Sequence, residues 1–237
     1  QGLSVDSFSL SQPKFFAEVD KMVKDVPVAQ WQAYLRARAI DAMAPFLSDA
    51  FANEQFDFYG KTLRGQKEMK PRWKRVLGTT EGGVGEALGQ LYVKQYFPAS
   101  SKQQVETMVA GIVEAFDERL EKLQWMTAPT KAKAREKVKA MRVSVGYGDT
   151  WRDYGSFEVK PNDALGNSLR ASKFEYQWQL AKLGKPLDRG EWWMTPQTVN
   201  AVNLPLQNAL NFPAAILQPP FFDPKAPAAA NYGAIGS

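Results

Sequence analysis

The sequence predicts a mainly α fold with a small β component. Apolar residues recur at spacings of three and four through most of residues 1 to 140, the period of a helix with one buried face. Beyond residue 140, short β-branched stretches alternate apolar and polar positions, the period of a half-buried strand. The 237 residues are 44% hydrophobic and 23% charged, a globular balance that excludes a disordered or collagen-like chain.

From Pro13 to Val26 the residues Phe15, Val19, Met22, Val23 and Val26 share one face, and Pro13 suits a first turn, whose N–H groups lack helical partners anyway. A second helix is expected from about Val28 to Met43, with Pro45 either kinking it or starting the next. The stretch from Phe46 to Tyr59 should stay helical until Gly60. Gly82, Gly83, Gly85 and Gly89 raise the question of a phosphate-cradling loop. Leu88 stands where the last glycine of that pattern belongs, no Lys-Ser or Lys-Thr follows, and no strand precedes, so a helix–helix connection is expected.

Ser101 to Leu123 reads as a long helix with Val105, Val109, Ile112, Phe116, Leu120 and Leu123 on one face, opened by a Ser101/Gln104 capping box. Thr127 to Ala140 reads as a helix capped by Thr127, and Asn162 to Leu183 as one ended by Gly184. Short strands are expected in Met141–Tyr147, Thr198–Val202 and Ala209–Leu217. Pro213, Pro219, Pro220, Pro224 and Pro227 argue for extended chain and loops near the end.

The absences bound the chemistry. With no Cys there are no disulfides, thiolate nucleophiles or sulfur-ligated metals, and with no His there is no Ser-His-Asp triad and no His-Glu-x-x-His zinc site within these residues. No apolar run approaches the ~20 residues that cross a bilayer, so no transmembrane segment is expected. The charge of +5 is mild, and Lys131, Lys133, Arg135, Lys137 and Lys139 spread around a helix without forming a stripe, so no nucleic-acid partner is expected. Glu114, Asp117, Glu118 and Glu121 read as a solvated face with i,i+4 pairs. Trp31, Phe51, Phe58, Trp178, Trp192 and Trp193 should fill a core or line a groove.

The informative segment is Trp192 to Ser237. A strand bearing Asn, an apolar strand and a Pro-Pro-Phe-Phe corner could take an extended peptide by strand addition, or could be an ordinary hairpin ending in a loop. Here Val199-Asn200-Ala201, then Phe212-Pro213-Ala214-Ala215-Ile216-Leu217-Gln218-Pro219-Pro220-Phe221-Phe222, then Asn231-Tyr232-Gly233-Ala234-Ile235-Gly236 resemble the neprilysin and endothelin-converting-enzyme zinc metallopeptidases. Phe56-Asp57-Phe58-Tyr59-Gly60, Pro71-Arg72-Trp73, Trp151-Arg152-Asp153-Tyr154 and Asp188-Arg189 extend the likeness over nearly the whole chain.

The resemblance implies a helical cavity-roofing domain over residues 1–140, and over 141–237 the N-terminal part of a thermolysin-like catalytic domain whose His-Glu-x-x-His helix would follow Ser237. It implies a parent zinc metalloendopeptidase acting on small peptides, with zinc in the parent but none expected on this fragment, which has no catalytic or metal residues of its own and is expected to be inactive. Asn200 and Ala201 would hold a substrate backbone from the edge strand, and Ile216 and Phe221 would line the pocket for the side chain after the scissile bond. Val202 and Asn203 stand where the family usually has two aromatic residues.

The resemblance also implies a bacterial member, since animal members are disulfide-rich, and a periplasmic, cell-surface or secreted location. Apolar surface near Ile216, Phe221 and Phe222 is expected to be uncovered and to lead to self-association or a rearranged C-terminal segment. The alternative reading is a non-catalytic peptide-binding or interaction module.

Overall fold

In the computed structural model, which describes Val5 and residues 7–236, Pro13 opens α1 (Pro13–Asp25), with Gln12 turning the chain into it at φ 58°. Helix α2 (Val28–Met43) follows as expected, and a 3-10 turn (Ala44–Phe46) holds Pro45. The helix expected to run on to Gly60 instead breaks at Leu47 and Ser48 and resumes as α3 (Asp49–Gln55). It then widens into a π-helical stretch, Phe56–Thr62, that carries the chain through Gly60. A Cβ on Gly60 would stand 2.4 Å from the Phe56 ring, so the residue there serves close packing and not termination. Tyr59 Oη donates to Asp41 Oδ2 at 2.8 Å and Gln55 Nε2 to the Asp41 carbonyl at 2.6 Å, tying these turns to the end of α2. These elements form one compact unit, Gln1–Lys70; the other is Pro71–Ser237, in which Ser237 lies outside the described residues.

The second unit opens with α4 (Arg72–Tyr96), in which two helical stretches meet at a kink inside the glycine cluster, where a helix–helix connection is expected; the connection is a single residue and not a loop. Only Val84 leaves helical geometry, at φ −136° and ψ 36°, a kink of the kind that neighbouring glycines permit. Two of the four glycines are closely covered: a Cβ on Gly85 or Gly89 would stand 2.8 or 2.6 Å from the 195–196 segment, whereas Gly82 has nothing within 4 Å and Gly83 only ordinary contact with Ala171. Helix α5 (Ala99–Lys122) starts two residues before Ser101, which is buried in its first turn and caps nothing; Pro98 occupies the cap position. Its buried stripe is Val105, Met108, Val109 and Leu120, whereas Ile112 and Phe116 lie exposed, a rotation that periodicity alone does not reveal. Helix α6 (Ala128–Lys139) is capped by Thr127 as expected, whose side chain accepts from the Thr130 N–H. Arg135 of α6 donates twice to Asp117 of α5, at 2.8 and 2.6 Å, so that carboxylate serves the helix pair and not a solvated face.

Strand β1 (Arg142–Gly146) lies parallel to β3 (Ala209–Pro213), and β2 (Val202–Leu204) pairs antiparallel with β3, giving the order β1-β3-β2. Helix α7 (Ala164–Leu180) fills the connection from β1 and is capped by Asp163, while Gly184 turns the chain beyond it at φ 73°. The tail expected to be loop carries α8 (Ala228–Ile235), where Pro227 precedes three alanines and so opens a helix instead of breaking one. The core joins α4, α5, β1 and the chain after β3 through Val93, Phe97, Val105, Val145, Leu217 and Phe222, with Ile216 and Ile235 packed on its margin. Phe97 and Phe222 are 2% and 1% exposed, each worth roughly 1.5–3 kcal/mol of burial. Phe222 is therefore covered within this chain, contrary to the expectation of an open apolar face there. Among the described residues no helix is long and apolar enough to cross a membrane.

Candidate functional site

The sheet order leaves β2 outermost, with one flank paired to β3 and the other facing away from the ladder. Asn200 and Ala201 precede this strand and are exposed; they are not within it. The strand expected from Thr198 starts at Val202 because local bonds hold the chain before it in a turn. Thr198 N–H donates to the Thr195 carbonyl at 3.0 Å, Asn200 N–H to the Thr198 carbonyl at 3.1 Å, and Ala201 N–H to Asn200 Oδ1 at 2.8 Å. The last of these bonds engages the Asn200 oxygen and leaves its amide nitrogen out.

The other two expected residues lie beyond β3. Its ladder ends at Pro213, and Ile216 falls in the turn that follows, half-buried against the core. Phe221 is 41% exposed while its neighbour Phe222 turns inward. Phe221 and Phe222 N–H groups donate to the Gln218 carbonyl, and Gln218 Nε2 donates to the Tyr96 carbonyl at 3.0 Å, anchoring this corner to the end of α4. The Ala215 N–H donates to the Pro196 carbonyl at 2.8 Å. The chain leading to Asn200 and the turn holding Ile216 are thus directly joined.

Beside this segment lies a half-open cavity of about 360 Å³, lined by Trp151, Trp178, Trp192, Glu86, Arg152 and Glu191 among others. Arg152 is its organising charge. Its guanidinium lies 3.8 Å from the Trp178 ring centre and bonds Glu175, and its Nε is 3.6 Å from Glu86, an ion-pair distance too long for a hydrogen bond. The Lys182 ammonium stands over the same Trp178 ring, 3.3 Å from its centre, and pairs with Glu191. Burial pushes the Glu175 carboxyl up, but hydrogen bonds from Gln179 and Arg152 outweigh it and hold the pKa below its ordinary value. Burial raises the Tyr154 phenol. The cations here are matched by carboxylates, so this cluster fixes α4, α7 and the chain before Asn200 to one another.

Among the described residues no three Asp or Glu side chains gather as a group that could hold a metal, and the chain has no His or Cys. The described residues therefore do not form a zinc-ligand set.

Models of peptidase family M13 match residues 1–148 and 200–237. The chain belongs to peptidase family M13. It is similar to the endothelin-converting enzyme-like 1 of Rattus norvegicus, 34% identical over 94% of the chain and 29% of that protein. It is also similar to the neutral endopeptidase of Lactobacillus helveticus, 29% identical over 98% of the chain and 36% of that protein. The solved structure of Mycobacterium tuberculosis zinc metalloprotease ZMP1 with an inhibitor matches with a TM-score of 0.88 at 43% identity, covering 95% of the chain and 34% of that one. PEPO from Lactobacillus rhamnosis gives 0.76 at 32%, covering 87% and 33%. The chain thus spans about a third of the length of these M13 relatives, and its mainly helical fold with a small sheet is theirs.

Thr195 and Gln197 were not legible in the sequence, and Gly85 and Gly89, which face them on α4, were legible only as members of a glycine cluster. The signal available was the spacing of four between Gly85 and Gly89 inside otherwise helix-forming sequence.

Proposed function

We propose that this chain is the substrate-binding part of a zinc-dependent metalloendopeptidase that cleaves small peptides, with Asn200 and Ala201 as its peptide-binding edge. The observation that carries the reading is that β2 is the outer strand of its sheet and that both residues stand exposed where its free flank begins. An extended peptide can lie antiparallel along such a flank, its backbone bonding to the Ala201 carbonyl and to the Asn200 amide, which offers both donor and acceptor. Ile216 and Phe221 supply apolar surface for one substrate side chain. In the whole enzyme the zinc would polarise the scissile carbonyl and activate a water. The chain has no His, and among the described residues no three Asp or Glu side chains gather to hold that metal, so on this reading these residues by themselves position peptide and cleave nothing.

Two measurements test this. In an NMR titration with a blocked, extended hydrophobic tetrapeptide, amide shifts should concentrate at Ala201 to Leu204, and Asn200→Ala should weaken them. Shifts elsewhere, or an unchanged affinity in Asn200→Ala, would overturn the edge assignment. A fluorogenic peptide incubated with the chain and zinc should remain intact; zinc-dependent cleavage would refute the division of labour.

A further inference from the structure

The residues before Asn200 are seated on α4 in a way that helix packing alone does not require. Gly85 and Gly89 lie one turn apart on the buried face of the helix. A Cβ on Gly85 would stand 2.8 Å from Thr195 Cγ2, and one on Gly89 would stand 2.6 Å from Pro196 Cδ and 3.0 Å from Gln197 Oε1. Any side chain at either position would push the 195–197 segment off the helix. Polar bonds pin the same segment: Thr195 Oγ1 donates to Glu81 Oε1 at 2.9 Å, and Gln197 Nε2 donates to the Gly85 carbonyl at 2.9 Å. Gln197 Oε1 is enclosed without a hydrogen-bond partner, so the close fit against Gly89 is kept at the cost of an unsatisfied acceptor. Thr195 and Thr198 hydroxyls lie 2.9 Å apart, and the turn they close ends at Asn200.

We infer that Glu81, Gly85 and Gly89 form a seat that sets where Asn200 and Ala201 meet a bound peptide, and so act as positioning residues for substrate. This rests on the proposed role of Asn200. The seat also reaches the far wall of the candidate cleft, because Pro196, held against Gly89, accepts from Ala215 beside Ile216. Edge and pocket are therefore placed by one contact surface on α4. Other glycines of the helix are not so committed: beside Gly78 there is nothing within 4 Å.

The test uses the full chain and the same blocked tetrapeptide, with affinity read from the Ala201 to Leu204 amide shifts and folding checked by the melting midpoint and the β1 and β3 amides. Thr195→Val, which keeps the shape and removes the hydroxyl that bonds Glu81 and Thr198, should weaken binding roughly three- to tenfold, on the order of one hydrogen bond. Thr195→Ser should restore it. Gly89→Ala should weaken it by about tenfold or more and Gly78→Ala should leave it unchanged. If folded Thr195→Val and Gly89→Ala bind as the parent chain does while Asn200→Ala binds weakly, the seat is rejected and the edge assignment stands. If Asn200→Ala also binds normally, both fall. Should Gly89→Ala not fold, the Thr195 pair decides, and a loss in Thr195→Val that Thr195→Ser fails to restore counts against the seat.

Discussion

Residues 1–70 and 71–237 show opposite relations between pattern and burial. In the first unit α1 has a strong apolar stripe, yet Phe15, Phe16 and Val23 are exposed, and Ala44 and Gly60 are the buried residues among those described. In the second, α5 has a weaker and rotated stripe but buries Val105, Met108, Val109 and Leu120. Periodicity therefore reports that a helix has a face to cover, and only tertiary contact decides whether anything covers it.

The largest expected effect sharpens that contrast. Phe222→Ala removes a ring that is 1% exposed and should cost about 3–5 kcal/mol in urea unfolding. Phe15→Ala, at 62% exposure, should change stability by about 0.5 kcal/mol or less. Comparable losses at the two sites would show that the first unit buries its aromatic face after all. A smaller contrast lies within α4. Gly89→Ala overpacks against Pro196 and should destabilise by about 1–3 kcal/mol, whereas Gly78→Ala meets open space and should gain about 0.5–1 kcal/mol from helix propensity. Equal effects would mean that the glycines of this helix are interchangeable.

How much of this was legible follows from which forces act locally. Helices α1 and α2 follow from spacing, α6 from the Thr127 cap and α7 from the Gly184 stop, because each is settled within a few residues. The join of two helical stretches at Val84 is legible in the α4 glycines, but the packing role of Gly85 and Gly89 is not, because their partners, Thr195 to Gln197, lie about a hundred residues away. Helix α8 was hidden by prolines that sit before it and not in it, and the strand boundary at Val202 by a turn whose bonds compete with the ladder. At the candidate site, Asn200, Ala201, Ile216 and Phe221 came from family likeness, since alternation by itself left an ordinary hairpin equally open. The seat beneath them was not seen, being a property of two distant segments.

The smallest expected effect is on acid stability, and it belongs to the second unit. Hydrogen bonds from Arg135 hold the Asp117 carboxyl below its ordinary pKa, and Arg170 with the Gly166 N–H does the same for Asp163. A depressed folded pKa contributes stability that is present above the unfolded value, about 4, and is lost as pH falls through the folded one. The melting midpoint should thus fall below about pH 4, and Asp117→Asn should flatten that decline. An unchanged acid limb in Asp117→Asn would remove the Arg135 pair from the account.

Hydrogen–deuterium exchange of the β2 edge, with and without the tetrapeptide, tests the central claim most directly. Exchange at Ala201 to Leu204 should slow on addition of peptide in the parent chain and not in Asn200→Ala. Protection confined to other surfaces, or protection of the edge that survives loss of the Asn200 amide, would contradict it.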